Sequence, residues 1–243
     1  MRAILVSVDY SDLLSLTLPY NRHHFDEVCV VTSWEDKATE RLCAQHGVKV
    51  YFTDAFWRDG ARFNKWLALE EGLDEFGREG WLCLMDADVF WPRTIPPLNL
   101  QPGCLYTPLR RMMTDVTAEI PPEDEWAQFR LHPQKTLFCG HTQIFHADDP
   151  VLGKPPWHET NWTHAGGADN QFQSKWDEKN KIRPGFEVLH LGQYRCNWMG
   201  RATQYRDGSL PENGRVLLED MQAMVRQRWG KQGPAKYSHE KLP

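Results

Sequence analysis

Two aspartates stand one residue apart, Asp86 and Asp88, directly after the apolar run Trp81-Leu82-Cys83-Leu84-Met85 and before Val89-Phe90-Trp91-Pro92. Carboxylates at this spacing can hold Mg²⁺ or Mn²⁺, and such an ion can carry phosphate oxygens. A solvated Asp-x-Asp turn uses the same residues, so the context must decide. An apolar run with no polar alternation, too short for a helix, reads as a strand buried on both faces. Pro92 ends its ladder. Carboxylates at the end of such a strand stand at the carboxyl edge of an open α/β sheet, the edge where these sheets bind ligands.

The elements that must position this pair lie upstream. Residues 3–8 read as a first buried strand, followed by the loop Asp9-Tyr10-Ser11-Asp12 and a short helix or turn over 13–18. A second strand is expected at 28–32, then a helix capped by Ser33 and ended by Gly47, then a third strand at 48–52. Phe63, Trp66, Leu67, Leu69 and Leu73 recur at helical spacing over 62–73. Strands alternating with helices predict a parallel, doubly wound α/β sheet. Beyond Pro92 the character is mixed. Strands are expected at 105–108, 143–146 and 187–191, a loop over a site at 157–167, and a helix at 169–176. A last helix over 211–229 should carry Val216, Leu217, Met221, Met224, Val225 and Trp229 on one side, with a basic tail after it. We expect one catalytic domain over 1–208, with a nucleotide-binding half at 1–92 and an acceptor and metal half at 93–208. Residues 209–243 form the C-terminal helix and tail.

The 243 residues are 41% hydrophobic and 25% charged, values that exclude a disordered or fibrous chain. A net charge of -5 gives no global basic field, so tight nonspecific nucleic-acid binding does not follow from charge. Six cysteines without a Cys-x-x-Cys pair read as reduced, packed thiols. The apolar part of the N-terminus is too short for a signal peptide, and no run approaches a membrane span. The expected location is cytoplasmic, where the sequon Asn161-Trp162-Thr163 has no consequence.

Four features in order resemble the nucleotide-sugar-dependent glycosyltransferases of GT-A fold. They are the N-terminal strand and helix alternation, Asn64-Lys65-Trp66-Leu67-Ala68-Leu69, Asp86-Ala87-Asp88, and Ala168-Asp169-Asn170-Gln171-Phe172 followed by His190-Leu191-Gly192. The resemblance implies a GT-A-like, Rossmann-type, mostly parallel sheet flanked by helices. It also implies transfer of a sugar from a nucleoside-diphosphate sugar, UDP-type, to a hydroxyl acceptor. Asp88 and Asp86 would hold Mn²⁺ or Mg²⁺ across the donor's two phosphates, with Asp86 also able to reach ribose, and His190 would complete the shell. Imidazole suits Mn²⁺ better than Mg²⁺; the alternative for His190 is a core histidine on a backbone carbonyl.

The same resemblance places Asp9 and Tyr10 beside base and ribose, beyond the end of the first strand. Ser7 and Val8 would present backbone to a uracil edge. Asp54 matches a base-side acidic position, and Lys65 would face the diphosphate or the base; solvated side chains are the alternative for both. Asp169 corresponds to the base that deprotonates the acceptor in inverting members, or is an N-cap. Many inverting members have Glu-Asp where this chain has Ala168-Asp169, and His190-Leu191-Gly192 is similar to retaining members that use no base, so the stereochemistry stays open. Trp157, Trp162, Tyr194 and Trp198 could stack on acceptor rings, and Arg110, Arg111, Arg195 and Arg201 could add phosphate-binding charge. The acceptor would be a glycan or lipid-linked glycan, or a hydroxymethylated base in phage DNA extruded from its stack.

Rival readings meet obstacles. Leu84-Met85-Asp86-Ala87-Asp88 also resembles the nucleophile motif of haloacid-dehalogenase-like phosphatases, with Asp148-Asp149 as a late metal pair, but that motif normally lies on the first strand. Nucleotidyltransferases usually carry a Gly-rich basic loop, and residues 7–15 contain no glycine. A zinc site from Cys139, His141 and His146 lacks a fourth ligand.

Overall fold

The computed structural model describes residues 1–133, 138–193 and 196–229. Tyr194, Arg195 and the basic tail lie outside them. The first half alternates as expected: β1 (Arg2–Val6), α1 (Ser11–Asn21), β2 (Glu27–Thr32), α2 (Lys37–Gln45), β3 (Lys49–Phe52), α3 (Lys65–Phe76) and β4 (Trp81–Asp86). Next come β5 (Val89–Phe90), β6 (Leu105–Tyr106), β7 (Leu109–Met113), β8 (Thr142–His146), α4 (Ala168–Gln173), β9 (Lys181–Ile182), β10 (Glu187–Leu191) and α5 (Gly214–Trp229). A seven-stranded sheet runs β3-β2-β1-β4-β8-β6-β9, and a second sheet runs β5-β10-β7. The strands from β3 to β4 are parallel, β8 pairs antiparallel with β4 and β6, and β9 is again parallel to β6.

The central strands carry apolar residues without alternation because both faces are covered. On β1, Ala3 and Leu5 pack with Leu14 and Leu18 of α1 and Cys43 of α2. Ile4 and Val6 face the other way, onto Trp66, Leu69 and Leu73 of α3. All six cysteines are free thiols. No helix among the described residues is long and apolar enough to cross a membrane.

Two expected helix caps and one expected apolar face differ. Asp36, not Ser33, caps α2, because its Oδ1 takes the Thr39 N–H at 3.0 Å while residues 33–36 form a turn. Asn64 caps α3, three residues later than the hydrophobic period suggests, because the Arg62 and Phe63 N–H groups go to the Thr163 carbonyl instead. On α5, Met221 and Val225 are buried but Val216 is exposed, so the apolar side is narrower than expected. β7 was not foreseen; Arg110 and Arg111 interrupt its apolar pattern.

Candidate active site

The strand β4 delivers Asp86 to the carboxyl edge of the sheet, where its N–H donates to the His141 carbonyl at 3.0 Å. The chain turns at Ala87, whose carbonyl accepts the buried Thr17 hydroxyl at 2.6 Å, and enters the second sheet as β5. There β10 runs antiparallel to β5, with His190 opposite Val89 and the Leu191 N–H on the Asp88 carbonyl at 2.9 Å. Strand register therefore sets His190 beside Asp88.

The result is a cluster. Ligand atoms of Asp86, Asp88 and His190 all lie within 4.8 Å of one another. His190 Nε2 is 3.2 Å from Asp88 Oδ1, and Lys65, in the first turn of α3, donates to Asp86 Oδ1. Each half-buried carboxylate thus has one partner of opposite charge or proton-donating character. Burial pushes the Asp88 carboxyl up, but the His190 imidazole beside it outweighs that and holds it below its ordinary value. Two carboxylate oxygens and one imidazole form a donor set that fits Mn²⁺.

Behind His190 lies a buried basic floor. Arg110, on β7, reaches His190 Nδ1 at 3.4 Å and His132 Nε2 at 3.2 Å. His141 stacks on His190 with centroids 6.4 Å apart and holds the Pro108 carbonyl at 3.1 Å. Burial, Arg110 and His190 together push His141 well below its ordinary value, keeping it neutral. This explains why Cys139, His141 and His146 form no zinc site: His141 is committed to the floor, and His146 pairs with Asp148 at 3.8 Å. Asp149, of the supposed phosphatase pair, is buried and accepts from the Gly103 N–H and the Trp176 indole.

The cluster opens into a cavity of about 530 Å³ whose lining includes Val8, Tyr10, Lys65, Asp169, Trp162 and Trp198. Burial, with the negative charge of Asp88 next, pushes the Tyr10 hydroxyl well above its ordinary value. Asp169 is the second residue of α4 and does not cap it; the N-cap is Gly167, with no side-chain bond. The Asp169 carboxylate instead takes the Gly140 N–H at 3.0 Å. A Cβ on Gly140 would sit 3.1 Å from both Asp169 Cβ and Trp66 Cη2, so the approach depends on glycine.

The wall carrying Trp162 and Asp169 is the expected loop at 157–167, and α3 holds it along its length. Buried Glu70 accepts the N–H groups of Trp157 and His158 at 3.0 and 2.9 Å, the His158 imidazole at 2.6 Å and Arg78 at 2.8 Å. Asn64 donates to the Thr160 carbonyl at 2.7 Å, and the Trp66 indole to that of Ala165 at 2.8 Å. The His158 ring stacks with Trp66 at 5.0 Å and with Phe172 of α4 at 4.2 Å, linking the helix of Lys65 to the helix of Asp169. Asn64 and Trp66 fall in the stretch that carries the resemblance, whereas Glu70, Arg78 and His158 belong to no motif.

Other expected site residues go elsewhere. Ser7 is buried, its hydroxyl 3.3 Å from that of Thr39 and its N–H on the Val31 carbonyl, and it is not among the residues that line the cleft. Asp9 is exposed beside the cleft-lining Val8 and Tyr10. The Asp54 side chain is 77% exposed and pairs with Arg58 at 2.6 Å, because it follows the edge strand β3. Trp157 is core, edge-on to Phe145 and under Arg78. Arg111 is tied to Glu187 at 2.5 Å, and Arg201 to Asp12.

No protein-family model matches the chain, and no curated protein sequence matches it. Among solved structures it is similar to mannosyl-3-phosphoglycerate synthase from Rubrobacter xylanophilus, at 14% identity and a TM-score of 0.50, over 100% of this chain and 78% of that one. It is also similar to glucosyl-3-phosphoglycerate synthase from Mycobacterium tuberculosis in complex with Mn²⁺, UDP-glucose and glycerol 3-phosphate, at 14% identity and 0.52, over 80% and 72%. The same enzyme with Mn²⁺, UDP-glucose and phosphoglyceric acid gives 14% and 0.51, over 79% and 72%. The chain has the GT-A-type α/β fold.

Proposed function

We propose that the chain is a metal-dependent glycosyltransferase that moves a sugar from a UDP-type donor to a hydroxyl acceptor. The observation that carries this reading is the Asp86, Asp88 and His190 cluster at the carboxyl edge of β4, opening into the cleft of a GT-A-type fold. Glucosyl-3-phosphoglycerate synthase, a solved structure of the same fold, is in complex with Mn²⁺ and UDP-glucose, which supports that donor class.

Asp86, Asp88 and His190 would hold the ion, which when bound neutralises charge growing on the departing diphosphate. Lys65 brings a second positive charge to the same edge of the cleft, and Val8 and Tyr10 border the nucleoside. Asp169, fixed on the Gly140 N–H, is positioned to take the acceptor's proton at its free carboxylate oxygen. The acceptor we favour is a glycan or lipid-linked glycan hydroxyl, with Trp162 and Trp198 in the cleft lining as ring-stacking surfaces. The free thiols fit a reducing, cytoplasmic setting.

The test is a nucleotide-sugar turnover screen with Mn²⁺ or EDTA, offering simple sugars and hydroxymethylcytosine DNA as acceptors. Mn²⁺-dependent, EDTA-sensitive turnover of a UDP-sugar with transfer to a saccharide is expected. Transfer to the DNA alone would replace the glycan acceptor with the base. Phosphate release from simple phosphate esters without nucleotide-sugar turnover would overturn the reading.

A further inference from the structure

Asp9 has a left-handed backbone, φ 61°, which few non-glycine residues adopt. It separates Val8 and Tyr10, two residues that line the cleft. Its peptide groups are held on both sides by buried charged side chains from remote parts of the chain. The Asp9 N–H donates to Asp36 Oδ2 at 2.9 Å, and its carbonyl accepts from Arg201 Nη1 at 2.7 Å.

Each holder is itself fixed. Asp36 is 7% exposed and takes the Thr39 hydroxyl at 2.8 Å and that of Thr32 at 3.4 Å, besides capping α2. Arg201 is 3% exposed; it grips both oxygens of Asp12 and donates to the Gln204 carbonyl at 2.9 Å. Its guanidinium lies 4.7 Å from the Tyr10 ring centroid and 4.3 Å from that of Tyr205. Helix capping by itself uses only Asp36 Oδ1, and the Asp12 pair by itself does not involve the Asp9 carbonyl. A strained backbone persists where its surroundings over-determine it, and such positions gather at ligand sites.

We propose that Asp36 and Arg201 form a two-sided clamp on the peptide groups before and after Asp9 and thereby fix the nucleoside subsite built from Val8 and Tyr10. Both are positioning residues, and the segment that carries Arg201, after β10, becomes part of the donor site. This inference rests on reading the cleft as a nucleotide-sugar site.

The experiment is calorimetric titration of UDP into the full chain at saturating Mn²⁺, with Mn²⁺ alone as a separate arm. Asp36→Ser keeps an oxygen that can cap α2 but is one bond too short for the Asp9 N–H. Arg201→Lys keeps the charge beside Asp12 while giving up the branched reach to the Asp9 carbonyl. Each should weaken UDP binding about tenfold, the size of one lost charge-assisted hydrogen bond, with Mn²⁺ affinity unchanged. Because both act through the backbone of one residue, the double variant should bind UDP little worse than either single one. Unchanged UDP affinity in Asp36→Ser, or a double variant weakened by the product of the two, overturns the clamp. Failure of the wild-type protein to bind UDP with Mn²⁺ overturns the donor reading itself, and the clamp with it.

Discussion

On the metal side of the cleft, Asp86, Asp88 and His190 are placed by strand register, with β4, β5 and β10 fixing each side chain through ladder bonds next to it. On the acceptor side, Trp162 and Asp169 sit on a loop and a short helix that α3 holds by side chains, at Asn64, Trp66 and Glu70. Both walls join segments about ninety to a hundred residues apart in the chain, the metal wall through backbone pairing and the acceptor wall through side chains. Register tolerates the loss of a side chain, whereas a side-chain anchor does not. Changes on the first wall should therefore strike chemistry and spare the fold, and changes on the second should strike the fold and the transfer step together.

The largest effect expected is for Asp88→Ala, which removes one of the proposed ligands and leaves the β5 and β10 ladder intact. Mn²⁺-dependent turnover of the UDP-sugar should fall beyond about 10³-fold, over about 4 kcal/mol of transition-state stabilisation. The urea midpoint should change little, and EDTA on the wild-type protein should reproduce the loss. Turnover that survives the substitution would remove the metal side from the mechanism. On the acceptor side, Glu70→Ala strips the partner from Arg78 and from four donors in all, at a buried position. Breaking such a buried pair costs about 3–5 kcal/mol, to be read by urea denaturation. A loss below about 1 kcal/mol would show that the loop does not depend on α3.

The same contrast decides what was legible in the sequence. Apolar runs and the Asp-x-Asp spacing point to β1, β2, β4 and the metal pair, because buried parallel strands write their environment into consecutive residues. His190 enters through the resemblance carried by His190-Leu191-Gly192, and the structure sets it one residue before the end of β10. Ser7 and Asp54 lie outside the cavity lining for a related reason: a strand end locates the sheet edge but not which residues face the cleft, and β3 lies at the margin of the sheet. Glu70 and His158 left no local signal; a glutamate on an amphipathic helix is usually solvated, and only tertiary packing shows this one 3% exposed. Asp169 was visible as an acid at a helix start, but its bond to Gly140, which separates it from an ordinary cap, spans 29 residues.

Asp169 tests the acceptor side without disturbing its anchors. Asp169→Asn keeps an oxygen for the Gly140 N–H and loses the proton acceptor, so transfer to the saccharide found in the screen should drop about 10²-fold. UDP and Mn²⁺ affinities should stay within about threefold, since Asp169 is not among the clustered ligands. Transfer at the wild-type rate would mean that no base acts from this position and would point to a retaining course.

The smallest effect expected is the share of the pH dependence that His158 contributes on the acceptor side. Burial between Trp66 and Phe172 pushes the His158 imidazole below its ordinary value of 6.5, although the Glu70 carboxylate opposes the shift. His158 Nε2 is buried without a hydrogen-bond partner, so the neutral ring, donating from Nδ1 to Glu70, is the form the fold accepts. The unfolded chain then binds a proton that the folded chain refuses, in the window below pH 6.5 and down to the lowered value. Stability from this group is fully present above pH 6.5 and declines on acidification through that window, by at most about 1.4 kcal/mol per pH unit. His158→Asn places an amide donor near the position of Nδ1 and has no titrating ring. Urea midpoints taken from pH 8 to pH 5 should fall less steeply in this variant than in the wild type, while the Mn²⁺ affinity of the metal side stays the same at pH 8. Parallel stability curves would mean that His158 titrates alike in the folded and unfolded chain, and a variant that falls more steeply than the wild type would mean that the ring is protonated in the fold and the stack between α3 and α4 carries a charge.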